Sequence, residues 1–112
     1  MLHKGPKFRD EKITALIEKL AADFLREVAG PSSLITVTRA IFSDKANSAT
    51  IFISVFPTEK ENIALEFARR KKSEFREYVG EHSKMRIPFF EFEIDKGERN
   101  RQLIDDLARK SQ

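Results

Sequence analysis

Hydrophobic positions recur at helical spacing in some stretches of the chain and alternate in others, and the switches mark the elements. Ile13, Leu16, Ile17, Leu20, Phe24, Leu25 and Val28 follow the three-and-four spacing that lays one stripe along a helix. Asp10 stands where a cap is expected. Gly30-Pro31 ends the helix, because glycine accepts a left-handed terminus and proline cannot continue. Residues 34–43 (LITVTRAIFS) and 49–56 (ATIFISVF) are then dense in β-branched and aromatic residues, as strands are. Asp44 to Ser48 joins them with turn-forming residues, and so short a link makes an antiparallel hairpin. In the second strand Ile51, Ile53 and Val55 share one face while Phe52 and Phe56 share the other, which predicts a central strand.

Pro57 closes that strand, and Thr58 with Glu61 reads as a capping box for a second helix. Its apolar face runs Ile63, Ala64, Phe67, Ala68, then Phe75, Tyr78, His82 and Met85. Continued as one helix, that face has Lys71 in its middle, and a buried unpaired lysine is expensive. Either the stem snorkels outward or the helix breaks near residues 70–73 and turns Lys71 to solvent. The break is the favoured expectation, giving two consecutive helices. Ile87-Pro88 is expected to end the second of them. A third strand follows at 89–94, with Phe90, Phe92 and Ile94 alternating against Phe89, Glu91 and Glu93. A last helix is predicted over roughly 98–110, with Leu103, Ile104 and Leu107 facing inward. This order predicts an α+β layer, with helices on one face of a three-stranded sheet.

The 112 residues suit one domain, expected over 10–110 behind a flexible N-terminal tail at 1–9. Ten phenylalanines and no tryptophan predict a core filled largely by Phe. The absence of cysteine excludes disulfides, thiolate metal sites and a Cys nucleophile, and two histidines cannot build a multi-histidine metal site. No cofactor or metal is therefore expected. The start, MLHKGPKFR, has no apolar run of the secretory kind, and no stretch approaches the ~18 apolar residues of a membrane helix. The expectation is a soluble cytoplasmic protein. Gly5, Gly30, Gly80 and Gly97 are isolated and form no phosphate loop. His82 on a helix face reads as a partly buried structural residue, and Glu91, Glu93, Asp105 and Asp106 read as solvated. These positions predict no enzymatic activity and no small-molecule substrate.

The net charge is only +3, yet it is unevenly spread. Residues 69–86 hold seven basic residues against Glu74, Glu77 and Glu81. Arg69, Lys72 and Arg76 lie along one side of the helical projection, and Arg70, Lys84 and Arg86 extend the charge. Lys7 and Arg9 are weaker candidates near the N-terminus. Basic groups that track phosphates supply most sequence-independent affinity for nucleic acid. A helix N-terminus opened by a break adds free backbone N–H groups. Two consecutive helices against a three-stranded sheet are the layout of the K-homology RNA-binding domain, which clamps single-stranded backbone at a GXXG loop. Here the break reads Arg-Lys-Lys-Ser-Glu at 70–74.

Over residues 9–107 the layout resembles the bacterial ribosome-binding factor A family. The hairpin ITVTRAIFSDKANSATIFISVF carries part of the likeness, as does FREYVGEHSKMRIP, with Phe75, Arg76, Gly80, Arg86 and Pro88. The pattern Pro88-x-Phe90-x-Phe92-x-x-Asp95 carries the rest. The resemblance implies a variant type II K-homology-like fold in which a kinked Ala-x-Gly segment replaces GXXG; that segment falls here on Lys71, Lys72 and Ser73. It further implies binding to the small ribosomal subunit and its ribosomal RNA during late maturation, including processing of that RNA's ends, and a link to growth in the cold. Two other readings stay open: a K-homology-like RNA binder with a non-ribosomal target, and a protein-interaction domain whose basic face is only solvated. A monomer is expected.

Overall fold

In the computed structural model, which describes residues 8–30 and 34–110, the first apolar stripe forms α1 (Phe8–Ala29). The helix starts ahead of Asp10, so Asp10 is not its cap. Its carboxylate sits in the first turn, where the positive end of the helix dipole favours it. Its carbonyl accepts the Thr14 hydroxyl at 2.9 Å. Gly30 ends the helix at φ +84°, a backbone conformation that costs glycine no Cβ clash.

The hairpin forms as expected, with β1 (Ile35–Ser43) antiparallel to β2 (Ser48–Val55). Asn47 takes φ +51° in the turn, and its N–H bonds to the Asp44 carbonyl at 3.1 Å. The register slips between Val37 and Arg39, which puts a bulge at Thr38. Ile35 and Val37 face inward before the bulge and Ala40 and Phe42 after it, so Thr38 and Arg39 both turn toward the open face. A third strand, β3 (Phe89–Ile94), pairs parallel to the other side of β2, leaving β2 central in the order β1-β2-β3. A parallel return needs a long crossover. The two helices α2 (Glu61–Arg70) and α3 (Lys72–His82) supply it.

The entry into α2 differs from the expected capping box. The chain passes through a 3-10 turn at Thr58–Lys60, and the Glu61 N–H bonds to the Thr58 carbonyl rather than its hydroxyl. The break between α2 and α3 is one residue wide: Lys71 leaves helical geometry at φ −94°, ψ 8° while Lys72 and Ser73 already belong to α3. The Lys71 ammonium turns outward to lie 3.2 Å from Glu74 Oε1. Helix α3 stops at His82, short of Ile87-Pro88, because Ser83 takes an extended backbone and its hydroxyl bonds to the Val79 carbonyl at 2.8 Å. Met85 and Ile87 therefore reach the core from a loop. His82 is exposed rather than partly buried, with Nδ1 2.8 Å from the Tyr78 carbonyl.

One face of the sheet meets α1 and the α2–α3 pair. Ile51, Ile53 and Phe92 come from the sheet, Ile17 and Phe24 from α1, and Ala68, Phe75 and Val79 from the pair. Phe75 is fully buried at the centre, its ring 4.7 Å from Phe90, 5.3 Å from Phe24 and 5.9 Å from Phe92. Tilted rings at such distances add to the burial energy. The last helix, α4 (Lys96–Lys110), does not turn Ile104 and Leu107 inward: both are 65% exposed. The three preceding helices cover the inner face of the sheet; the Leu103 side chain lies outside the described residues. Ile63, expected in the core, is likewise 65% exposed. Among the described residues no helix is long and apolar enough to cross a membrane.

Candidate nucleic-acid interface

Strand β3 is an edge, and its backbone alternates in direction. The Phe89 and Asp95 N–H groups bond to the Asn47 and Ile53 carbonyls on the β2 side at 2.9 and 2.8 Å. The Pro88 and Phe92 carbonyls therefore face away from the sheet. Such a row of unpaired groups needs cover. Side chains from α2 and α3 reach round to supply it. Arg69 Nη2 donates to the Phe92 carbonyl at 3.3 Å and lies 3.4 Å from Glu93 Oε2. Lys72 Nζ lies 3.0 Å from Glu91 Oε2. Arg76 Nη1 donates to the Pro88 carbonyl at 2.5 Å, and its guanidinium sits 5.5 Å from the exposed Phe89 ring.

The spacing explains why these three residues meet that strand. Seven helical residues rise about 10 Å and four strand residues about 13 Å. Arg69, Lys72 and Arg76 therefore run nearly in step with Glu93, Glu91 and Phe89. Exposed ion pairs are worth about 0–1 kcal/mol each, so the ladder adds little stability. Its effect is to fix three cations along an edge. The Arg69 and Lys72 side chains remain 43% and 36% exposed, and a guanidinium has donors to spare. Glu91 and Glu93, read from the sequence as solvated, act as counter-ions to the helices.

The break adds a second feature. Lys71 occupies the N-cap position of α3 and makes no side-chain cap bond. The first returning bond, Phe75 N–H to the Lys71 carbonyl at 2.9 Å, leaves the N–H groups of Lys72, Ser73 and Glu74 ahead of it. The helix dipole favours an anion at this end, and Glu74 in the first turn, paired with Lys71, already brings one carboxylate there.

The remaining candidates lie elsewhere. Lys84 and Arg86 are exposed in the loop before β3 and line an open hollow beside the hairpin turn with Lys12 and Asn47. Neither pairs with an acidic side chain among the described residues. Arg70 sits on the rim of a separate groove near the end of α1. The basic run of the sequence thus divides among three places. Lys7 and the side chain of Arg9 lie outside the described residues.

Sequence reasoning missed the junction that fixes the far end of β3. Asp95 is 6% exposed. Its Oδ1 accepts the Glu98 N–H at 3.0 Å, capping α4, and its Oδ2 lies 2.5 Å from the Thr38 hydroxyl and 3.5 Å from Arg39 Nε. The Thr38 hydroxyl, with the Glu98 N–H and Arg39, holds this carboxyl below its ordinary range despite burial. Arg39 in turn lies 4.0 Å over the Phe52 ring on the open face. The available signal was the bulge, which breaks strict alternation at Thr38-Arg39.

The family model for ribosome-binding factor A matches residues 9–108. Ribosome-binding factor A of Thermodesulfovibrio yellowstonii is 31% identical over 114 residues, covering 96% of this chain and 97% of that protein. That of Thermosipho africanus is 28% identical, covering 94% and 92%. The solution structure of a Thermotoga maritima protein described as a ribosome binding factor A superposes with a TM-score of 0.67 at 22% identity, over 81% of this chain and 91% of that one. The crystal structure of ribosome-binding factor A from Thermus thermophilus gives 0.66 at 20%, over 76% and 94%. At those identities the two structures speak for the shared K-homology-like α+β fold. The family match spans the hairpin, the break at Lys71, the β3 edge and most of α4, and the chain belongs to the ribosome-binding factor A family.

Proposed function

We propose that this protein is a non-catalytic assembly factor. It binds the small ribosomal subunit through its ribosomal RNA and assists late maturation and end-processing of that RNA in the cytoplasm. The family's name supports ribosome binding. The observation that carries an RNA contact is the β3 edge, where Arg69, Lys72 and Arg76 are held in line beside the uncapped N-terminus of α3. Phosphates would meet the free donors of Arg69, Lys72 and Arg76 first, then Arg70 and the α3 backbone, with Lys84 and Arg86 extending the track toward the hairpin turn. Lys7 and Arg9 remain in the proposal as N-terminal additions. The protein acts as a monomer, and neither a cofactor nor a metal enters the role.

Sedimentation with purified subunits tests this reading. The protein is expected to pellet with the small subunit and not the large one, and to be released as salt rises, since contacts that neutralise phosphates weaken steeply with ionic strength. Equal binding to both subunits would point to an RNA binder without ribosomal preference. No binding to either at low salt would remove the ribosomal role.

A further inference from the structure

One end of the molecule carries an apolar groove that the β3 edge does not use. It lies between the last turn of α1 and helix α2, has a volume of about 420 Å³, and is floored in part by Phe67. Three large apolar side chains beside it are left in solvent: Leu34 is 52% exposed, Phe56 61% and Ile63 65%. Ile63 belongs by its spacing to the core stripe of α2, yet it is 65% exposed on the groove. Apolar exposure gathered on one hollow marks a contact site more often than the same residues scattered singly. The described ionisable residues that line the groove are Lys60 and Arg70, both basic. Neither pairs with an acidic side chain among the described residues.

We propose that this groove docks an acidic amphipathic helix from a protein partner. The helix seats its apolar face on Phe56, Ile63 and Phe67 and sets its carboxylates against Lys60 and Arg70, the helix-in-groove mode of recognition. Charge selects the occupant. The chain's own amphipathic helix with exposed apolar residues is α4, whose Ile104 and Leu107 are both 65% exposed. That segment has five basic residues and three acidic ones, so α4 of a second copy would bring like charge to a basic rim. Nucleic acid suits the rim better than the hollow, whose lining is mostly aliphatic (Val28, Leu34, Ile35, Ile63) and offers no side-chain hydrogen bond to a base beyond the rim cations, although Phe56 and Phe67 could stack. The proposal goes beyond the RNA role and does not depend on it; the two surfaces share only Arg70, on the rim.

The test uses the full chain and a fluorescein-labelled peptide of about four helical turns. Its leucines stand at i, i+3, i+4 and i+7, and the other positions are mostly glutamate. Titration by anisotropy is expected to saturate, and a peptide of the same composition with scrambled leucine positions is expected not to bind. Ile63→Asp should weaken binding by at least about tenfold, as truncating an interface anchor does, and Lys60→Glu should weaken it less. Both sites are exposed, so thermal melts of the variants are expected to match the parent. Small-subunit sedimentation of Ile63→Asp is expected to be unchanged, which separates this proposal from the RNA reading. Absence of saturation, equal binding of the scrambled peptide, or undiminished binding by Ile63→Asp would each overturn the proposal. So would displacement of the peptide by a single-stranded oligoribonucleotide whose own binding Ile63→Asp weakens.

Discussion

The two edges of the sheet face the same structural demand and answer it with opposite charge. On the β1 edge the group covered by a side chain is the Ala40 N–H, a donor that needs an acceptor: Glu18 Oε2 from α1 meets it at 2.8 Å. The hollow beside that edge is lined by Asp10, Glu11 and Glu18, with no basic side chain among its described lining residues. On the β3 edge the groups covered by side chains are the Phe92 and Pro88 carbonyls, acceptors that need donors, and Arg69 and Arg76 cover them. Both edges are closed to strand addition. The β3 edge carries Arg69, Lys72 and Arg76, and it is the side on which the proposed phosphate contact is placed. The sign of each surface follows from which side chains the flanking helix brings to the edge: a carboxylate from α1 on one side, guanidinium and ammonium groups from α2 and α3 on the other.

The largest test of this contrast is Phe75→Ala. The β3 edge exists as a site only while α3 is seated, and Phe75 seats it between Phe24, Phe90 and Phe92. Loss of about 3–5 kcal/mol in urea unfolding is expected for a fully buried ring. A loss below about 1 kcal/mol would show that α3 is held some other way.

Asp95→Asn comes next, at about 1–3 kcal/mol, because it weakens acceptors that a buried network of Thr38, Arg39 and the Glu98 N–H relies on. The carboxyl is held below its ordinary range in the folded state, with the Thr38 hydrogen bond as the main cause. Its contribution is therefore complete above the unfolded carboxylate pKa and is lost as pH falls through the lower folded value. Stability of the parent and the variant should converge as the solution is acidified below about pH 4. A gap that stays constant with pH would contradict this assignment.

A smaller effect is expected on the β1 edge. Glu18→Ala removes the partner of the Ala40 N–H and should cost about 1 kcal/mol in thermal unfolding, with small-subunit binding undiminished. Weakened binding in that variant would break the contrast between the edges. The smallest effect is a gain: Glu91→Gln with Glu93→Gln frees Lys72 and Arg69 from their counter-ions and should raise RNA affinity a few-fold, since exposed pairs are worth under about 1 kcal/mol. Unchanged or lower affinity would mean that the positioning the carboxylates provide outweighs their competition with phosphate for the same cations.

What was legible in the sequence was local. The hairpin, the β3 alternation and the break at Lys71 are written in the spacing of neighbouring residues, and the structure places them where that spacing predicts. The departures arise where distant segments decide. Helix α3 ends at His82 because Ser83 binds back to Val79, which a proline five residues on does not announce. Ile63, Ile104 and Leu107 follow helical spacing yet are exposed, because spacing fixes a face and not what covers it. The candidate site was half legible. The basic run was visible, but the pairing of Lys72 with Glu91 spans 19 residues and depends on the parallel return of β3. No helix-face argument could show that Arg69, Lys72 and Arg76 lie along a strand edge.

The most direct test of the central claim is the salt dependence of small-subunit binding for the parent and for a variant carrying Arg69→Gln, Lys72→Gln and Arg76→Gln. Glutamine is the better choice than glutamate, which would set like charges against Glu91 and Glu93 and confound binding with unfolding. Each phosphate contact contributes about −0.7 to the slope of log affinity against log salt on single strands. The account predicts weaker binding at low salt and a slope shallower by about 2 in the triple variant, with thermal unfolding little changed. An unaltered slope and affinity in a folded variant would place the RNA contact away from the β3 edge and contradict the account.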